Sequence, residues 1–96
     1  MDVMFSDPEL GSMCSSHVRL VGRWGINAGC AELAFCTLRN AISLEQFTSL
    51  PNVTKEKDTV IFNTATSVTR LVLEELAFDG RAGVIVTAVD IAAKRA

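Results

Sequence analysis

Val68-Thr69-Arg70-Leu71-Val72-Leu73-Glu74-Glu75-Leu76 is the stretch on which the fold class turns. Its β-branched and leucine content predicts a strand. A strand sends alternate side chains to opposite faces, so Arg70, Val72 and Glu74 share one face while Leu71 and Leu73 share the other. The leucines belong in a core, and the arginine stands on an open face. Glu74 and Glu75, being adjacent, face opposite ways and cannot act as a carboxylate pair, although Glu74 is free to meet a cross-strand cation. Upstream, Thr59-Val60-Ile61-Phe62-Asn63 is a second strand, joined to the first by Thr64-Ala65-Thr66-Ser67 without the glycine that a tight hairpin prefers. Downstream, Asp79-Gly80 marks a turn, and Val84-Ile85-Val86-Thr87-Ala88-Val89-Asp90-Ile91 reads as the last strand. That strand is expected to present an apolar edge that a partner strand can cover.

The period is different before residue 50. Residues 2–5 form a short strand. Ser6 or Asp7 then caps a helix that has Pro8 at its first position and Glu9 in its first turn. Leu10, Met13, Cys14, His17, Leu20, Val21 and Trp24 recur at spacings of three and four, which predicts one helix with one apolar stripe, stopped at Gly25. Asn27 caps a second helix with Ala31, Ala34, Phe35, Leu38, Ala41 and Ile42 as its stripe, and the short link makes the two a helical hairpin. Ser43 with Gln46 reads as a capping box opening a further helical turn, ended at Pro51-Asn52. Lys55-Glu56-Lys57-Asp58 alternates in charge and reads as a solvated loop. The order is a strand, a helical hairpin, then strands on short connections, which favour antiparallel neighbours. The expected fold is α+β, with helices packed on one face of a small antiparallel sheet.

The chain has 96 residues, 49% of them hydrophobic and 21% charged. That supports a single domain, 1–96, with one core, and argues against disorder. The formal net charge of −2 argues against a generic nucleic-acid binder. Cations nevertheless gather at Lys55 and Lys57, at Arg70, and at Lys94 and Arg95, so local positive potential remains available. No run approaches the roughly 20 apolar residues of a membrane span, and the opening Met1-Asp2-Val3-Met4 lacks the pattern of a signal peptide. The expected compartment is the cytoplasm, where the Asn52-Val53-Thr54 sequon carries no meaning.

No glycine-rich phosphate loop, His-Glu-x-x-His or Gly-x-Ser-x-Gly occurs. Cys14, Cys30 and Cys36 match no metal-ligand spacing and read as small buried hydrophobes, so no metal is expected. His17 reads as a packed residue on the helical stripe and Trp24 as a core anchor with a polar tip. Arg70 remains as the group that suits an anion, because its guanidinium forks onto phosphate or carboxylate. Lys55 and Lys57 would add phosphate contacts that carry affinity without sequence information.

Taken in order, Phe5-Ser6-Asp7-Pro8-Glu9-Leu10, Ala41-Ile42-Ser43-Leu44, Leu50-Pro51, Arg70-Leu71-Val72-Leu73-Glu74 and Val86-Thr87-Ala88-Val89-Asp90-Ile91 give the chain a resemblance to the RelE/ParE toxin superfamily. The likeness is to its HigB-like plasmid-maintenance killer group and spans nearly the whole length. The resemblance implies the toxin of a type II toxin–antitoxin system. It implies a cognate antitoxin as partner, no cofactor, and cleavage of mRNA on the translating ribosome. Arg70 would then be catalytic at the scissile phosphate, and Lys55 and Lys57 RNA-binding. ParE-like relatives poison DNA gyrase instead, and a diverged, non-catalytic member would work by binding protein, its own copy included. The sequence departs from the family in three ways. The Lys55–Asp58 stretch has no glycine where members carry a Lys-Gly-x-Arg-like loop, the chain is slightly acidic, and it contains no tyrosine to match an Asp-Tyr-His-like tail.

Overall fold

The computed structural model describes residues 1–78 and 80–94. The elements are β1 (Asp2–Phe5), α1 (Pro8–Cys14), α2 (His17–Trp24), a 3₁₀ turn (Gly25–Asn27), α3 (Ala28–Asn40), α4 (Leu44–Thr48), β2 (Val53–Glu56), β3 (Thr59–Asn63), β4 (Ser67–Phe78) and β5 (Arg81–Ala93). The fold is α+β, with the helices packed against one sheet of strand order β1-β5-β4-β3-β2. β2 to β5 form an antiparallel meander. β1 joins it in parallel, Asp2 to Phe5 lying against Gly83 to Val86. The sheet is therefore mixed, because the helical segment carries the chain across before the meander begins.

Two segments differ from the sequence reading. The apolar stripe from Leu10 to Trp24 is carried by two helices. Ser15 closes α1, its N–H donating to the Gly11 carbonyl at 3.1 Å and the Ser16 N–H to the Met13 carbonyl at 3.2 Å, and Ser16 opens α2, its Oγ accepting from the Arg19 N–H at 3.3 Å. Adjacent serines offer the backbone hydrogen bonds that compete with a continuous helix. Lys55-Glu56-Lys57-Asp58 is not a loop: Val53–Glu56 pairs with Thr59–Phe62, and Lys57 and Asp58 alone make the connection. Lys57 takes a positive φ of 56° at the first turn position. A short, charged strand is the ordinary way to end a sheet.

Val21 and Ile42, expected on the helical stripes, are instead exposed, while most other local expectations hold. Asp7 caps α1 by accepting from the Glu9 N–H at 2.9 Å, with Pro8 at the first position. Ser43 Oγ accepts from the Gln46 N–H at 3.1 Å, while the Gln46 side chain reaches back one residue further, accepting from the Ile42 N–H at 2.7 Å. Thr64 closes the β3–β4 hairpin in place of a glycine: its Oγ1 accepts from the Ser67 N–H at 3.1 Å and its backbone N–H donates to the Ser67 carbonyl at 2.9 Å. Asn27 occupies the cap position of α3 but spends its side chain elsewhere, Oδ1 accepting from Ser67 Oγ at 2.6 Å. Of the expected Asp79-Gly80 turn, Asp79 lies outside the described residues; Gly80 has a φ of +74°.

The core lies between the helices and the inner face of the sheet. Phe35, Phe47, Phe62, Leu20, Leu38 and Leu71 are its largest fully buried side chains. Phe47 stacks on Phe62 at 6.2 Å between centroids, and Phe5 meets Phe35 edge-on at 5.7 Å. The buried Thr69 hydroxyl donates to Cys30 Sγ at 3.0 Å, so no polar atom is stranded there. Between Val72 and Leu73 the register with β5 slips by one, Val72 facing Ala88 and Leu73 facing Val86, which leaves Thr87 as a bulge.

Candidate functional site

The alternation expected of β4 is borne out. Leu71 and Leu73 are buried on the helix side; Arg70 and Glu74 are exposed, and Val72 is half-buried, on the side that no helix of the described chain covers. Register extends this open face across the sheet. Arg70 lies between Ile61 of β3 and Asp90 of β5, and Ile61 in turn faces Thr54 of β2. Val72 lies between Thr59 and Ala88, and Glu74 faces Ile85, which meets Met4 of β1. Arg70 is thus set among half-buried aliphatic side chains on a rigid support. Among the described residues no carboxylate oxygen comes within 4.0 Å of its guanidinium. Glu74 has Ile85 opposite it and makes no ion pair among the described residues.

The structure does not bring the three predicted residues together. Lys55 faces Val60, which faces Leu71, so strand alternation turns Lys55 toward the helix side of the sheet edge, opposite to Arg70. Lys57 stands at the tip of the β2–β3 hairpin. The open face also carries Asp2, Glu56, Glu74 and Asp90 beside Arg70 and Lys94. The single histidine and all the cysteines belong to the helical layer. No proton-transfer group of the His, Tyr or Cys type therefore shares the face with Arg70.

A second cluster lies on the helical side, and the sequence reading missed it. Cys14, Ser15, His17, Leu20, Glu32, Phe35 and Arg39 line a cleft of about 250 Å³. His17, expected to be packed, is 71% exposed at the start of α2 and pairs through Nδ1 with Glu32 Oε1 at 2.5 Å. It stands outside the stripe because the break at Ser15-Ser16 restarts the helix there. Arg39 lies over the Phe35 ring at 5.9 Å. Burial pushes the Cys14 thiol up to about 11, against the lowering influence of Arg39. A thiol held protonated is neither nucleophile nor metal ligand, and among the described residues no set of three His, Cys, Asp or Glu side chains is placed to hold a metal. Cys30 is buried as expected, whereas Cys36 is exposed on α3. Trp24 packs partly buried against the core, with Arg23 over its ring at 5.6 Å.

Compared with protein-family models, with curated proteins and with solved structures, the chain matches none. Among the described residues no helix is long and apolar enough to cross a membrane.

Proposed function

We propose that this chain is the toxin of a type II toxin–antitoxin pair, of the RelE/ParE kind and HigB-like, that inhibits translation by cleaving mRNA on the ribosome in the cytoplasm. One observation carries the reading: Arg70 is an exposed guanidinium on a rigid, uncovered sheet face, with no carboxylate of the described chain in contact. Such a group is prepared to fork onto a phosphate and to stabilise charge developing there. Lys57, at the hairpin tip beside the same strands, would hold RNA backbone. Lys55, on the other side of the edge, would reach a different phosphate from the one at Arg70. The element order, one strand, then helices, then an antiparallel meander, also agrees with what the resemblance implies. A cognate antitoxin is the expected protein partner, and no cofactor enters the scheme.

A second reading has its own support. The open face holds more carboxylates than cations and no proton-transfer side chain beside Arg70, which favours a non-catalytic module of the same fold that works by binding protein. One experiment separates the two. The chain is expressed from an inducible promoter while growth, pulse-labelled protein synthesis and mRNA ends are followed, with Arg70→Ala in parallel. The nuclease reading expects rapid loss of synthesis, cuts within reading frames, and loss of both in Arg70→Ala. Growth arrest that survives Arg70→Ala overturns the role of Arg70. Arrest with DNA-damage signalling and continued translation points to gyrase. Normal growth from a folded product leaves the binding module.

A further inference from the structure

The exposed edge of the sheet is narrower than the sequence implies, and it is self-complementary. β1 covers β5 only from Gly83 to Val86, and the Ser6 N–H closes that contact on the Val86 carbonyl at 3.1 Å. There the chain leaves the sheet to start α1, and β5 continues to Ala93 with β4 alone beside it. The Lys94 N–H donates to the Thr66 carbonyl at 2.8 Å, on the β4 side. By alternation Ala92 and Asp90 also direct their backbone groups to β4, while Val89, Ile91 and Ala93 direct theirs outward. Among the described residues nothing accepts or donates a hydrogen bond to those outward groups. A row of unpaired backbone donors and acceptors is a template for another strand.

We infer that this edge pairs with the same edge of a second copy of the chain, β5 antiparallel to β5 about a two-fold axis at Ala92. The pattern Asp90-Ile91-Ala92-Ala93-Lys94 selects that occupant and that register. Asp90, Ala92 and Lys94 share the open face of the sheet. With the axis at Ala92, Asp90 of each copy stands directly opposite Lys94 of the other, where opposite charges stabilise a cross-strand pair. Ala92 meets its own copy at the closest, non-hydrogen-bonded position, where its small side chain fits. Ile91 and Ala93 exchange backbone hydrogen bonds across the axis and keep their side chains on the helix side. Moving the axis to Asp90 would set two carboxylates face to face, which is destabilising. An isologous pairing of this kind makes one continuous sheet from two copies.

The test is sedimentation equilibrium of the full chain from micromolar to about 1 mM, a range that detects even weak association. The wild type is expected to pass from monomer to dimer. Ala93→Pro removes an outward N–H that serves no bond within the chain, so it should keep the monomer's thermal midpoint and abolish the dimer. Lys94→Glu should weaken the dimer at low salt by placing like charges opposite each other, at least tenfold in dissociation constant. A wild type that stays monomeric at about 1 mM overturns the inference, and so does a dimer indifferent to Ala93→Pro. A dimer lost in Ala93→Pro but unmoved by Lys94→Glu overturns the register.

Discussion

Leu71→Ala and Arg70→Ala, made one position apart on β4, should have opposite consequences. Leu71 is fully buried, with Val60 on one side and Val89 on the other. Truncation to alanine removes three carbons at about 0.8 kcal/mol each, near 2.4 kcal/mol in transfer alone. The cavity left in a close-packed site raises the cost to about 3–5 kcal/mol. For a domain of this size that lowers the thermal midpoint by more than about 12 °C. Arg70 is exposed and makes no ion pair with the described residues, so its loss should cost under about 1 kcal/mol. Urea unfolding followed by far-UV circular dichroism and by the fluorescence of Trp24, the only tryptophan, measures both. The pair also decides how a functional result is read, because Arg70→Ala is informative about growth arrest only if the variant folds. A cost above about 2 kcal/mol for Arg70→Ala, or below about 1 kcal/mol for Leu71→Ala, would refute the assignment of the two faces.

Gly22→Ala should stabilise the chain by about 0.5–1 kcal/mol, since a Cβ at Gly22 in α2 meets nothing within 4 Å. Gly11→Ala should fall short of that in the same unfolding assay, because its Cβ would sit 3.3 Å from Phe5 Cβ. Lys57→Gly should raise stability by up to about 1 kcal/mol by relieving the positive φ at the β2–β3 turn, net of glycine's extra entropy. A thiol reagent should modify exposed Cys36 first and reach buried Cys14 and Cys30 only through opening of the fold, which mass spectrometry resolves by site. The folded state keeps the Cys14 proton up to about pH 11, whereas an ordinary thiol ionises near 9.0. Stability from this source is complete below about pH 9 and is lost as pH rises toward 11, by at most about 2–3 kcal/mol. Cys14→Ala should flatten that part of the pH profile.

Elements whose reading depends on local pattern were legible in the sequence. The face alternation of β4, the Asp7–Pro8 and Ser43–Gln46 helix starts, and the stripe of α3 from Ala31 to Leu38 follow from near neighbours, and the structure carries each, whereas Ile42, expected on that stripe, lies beyond α3 and is exposed. What escaped depends on partners far along the chain. Lys55-Glu56-Lys57-Asp58 has the composition of a loop, and only the pairing of Val53–Glu56 with β3 makes it an edge strand. The parallel contact of β1 with β5 joins the two ends of the sequence, and no local spacing announces it. The stripe from Leu10 to Trp24 reads as one helix because Leu10, Met13, Cys14, Leu20 and Trp24 of both short helices pack on the same core, while the break turns His17 and Val21 outward; the serine pair was the available signal. At the site, the exposure of Arg70 was legible from alternation. Its separation from Lys55 was not, since the face of Lys55 exists only once residues 53–56 are a strand.

That separation bears on how an anion could be bound. Asp90 lies directly opposite Arg70, with side-chain origins about 5 Å apart, and in water a unit charge at that range offsets roughly 0.8 kcal/mol of attraction. Lys55 cannot answer it from the other side of the edge. Phosphate binding to free RNA draws on many cations acting together, and the open face offers Arg70 with little support. On the proposed reading, affinity must therefore come from elsewhere, and Arg70 acts on a phosphate that something else has brought to it. Messenger RNA already held in the ribosome meets that condition, and free RNA does not. The same reasoning holds for a binding module: an arginine sharing its face with Ile61, Val68 and Val72 and set opposite Asp90 contributes selectivity for a carboxylate or phosphate within a larger interface, while the apolar surface around it supplies the area.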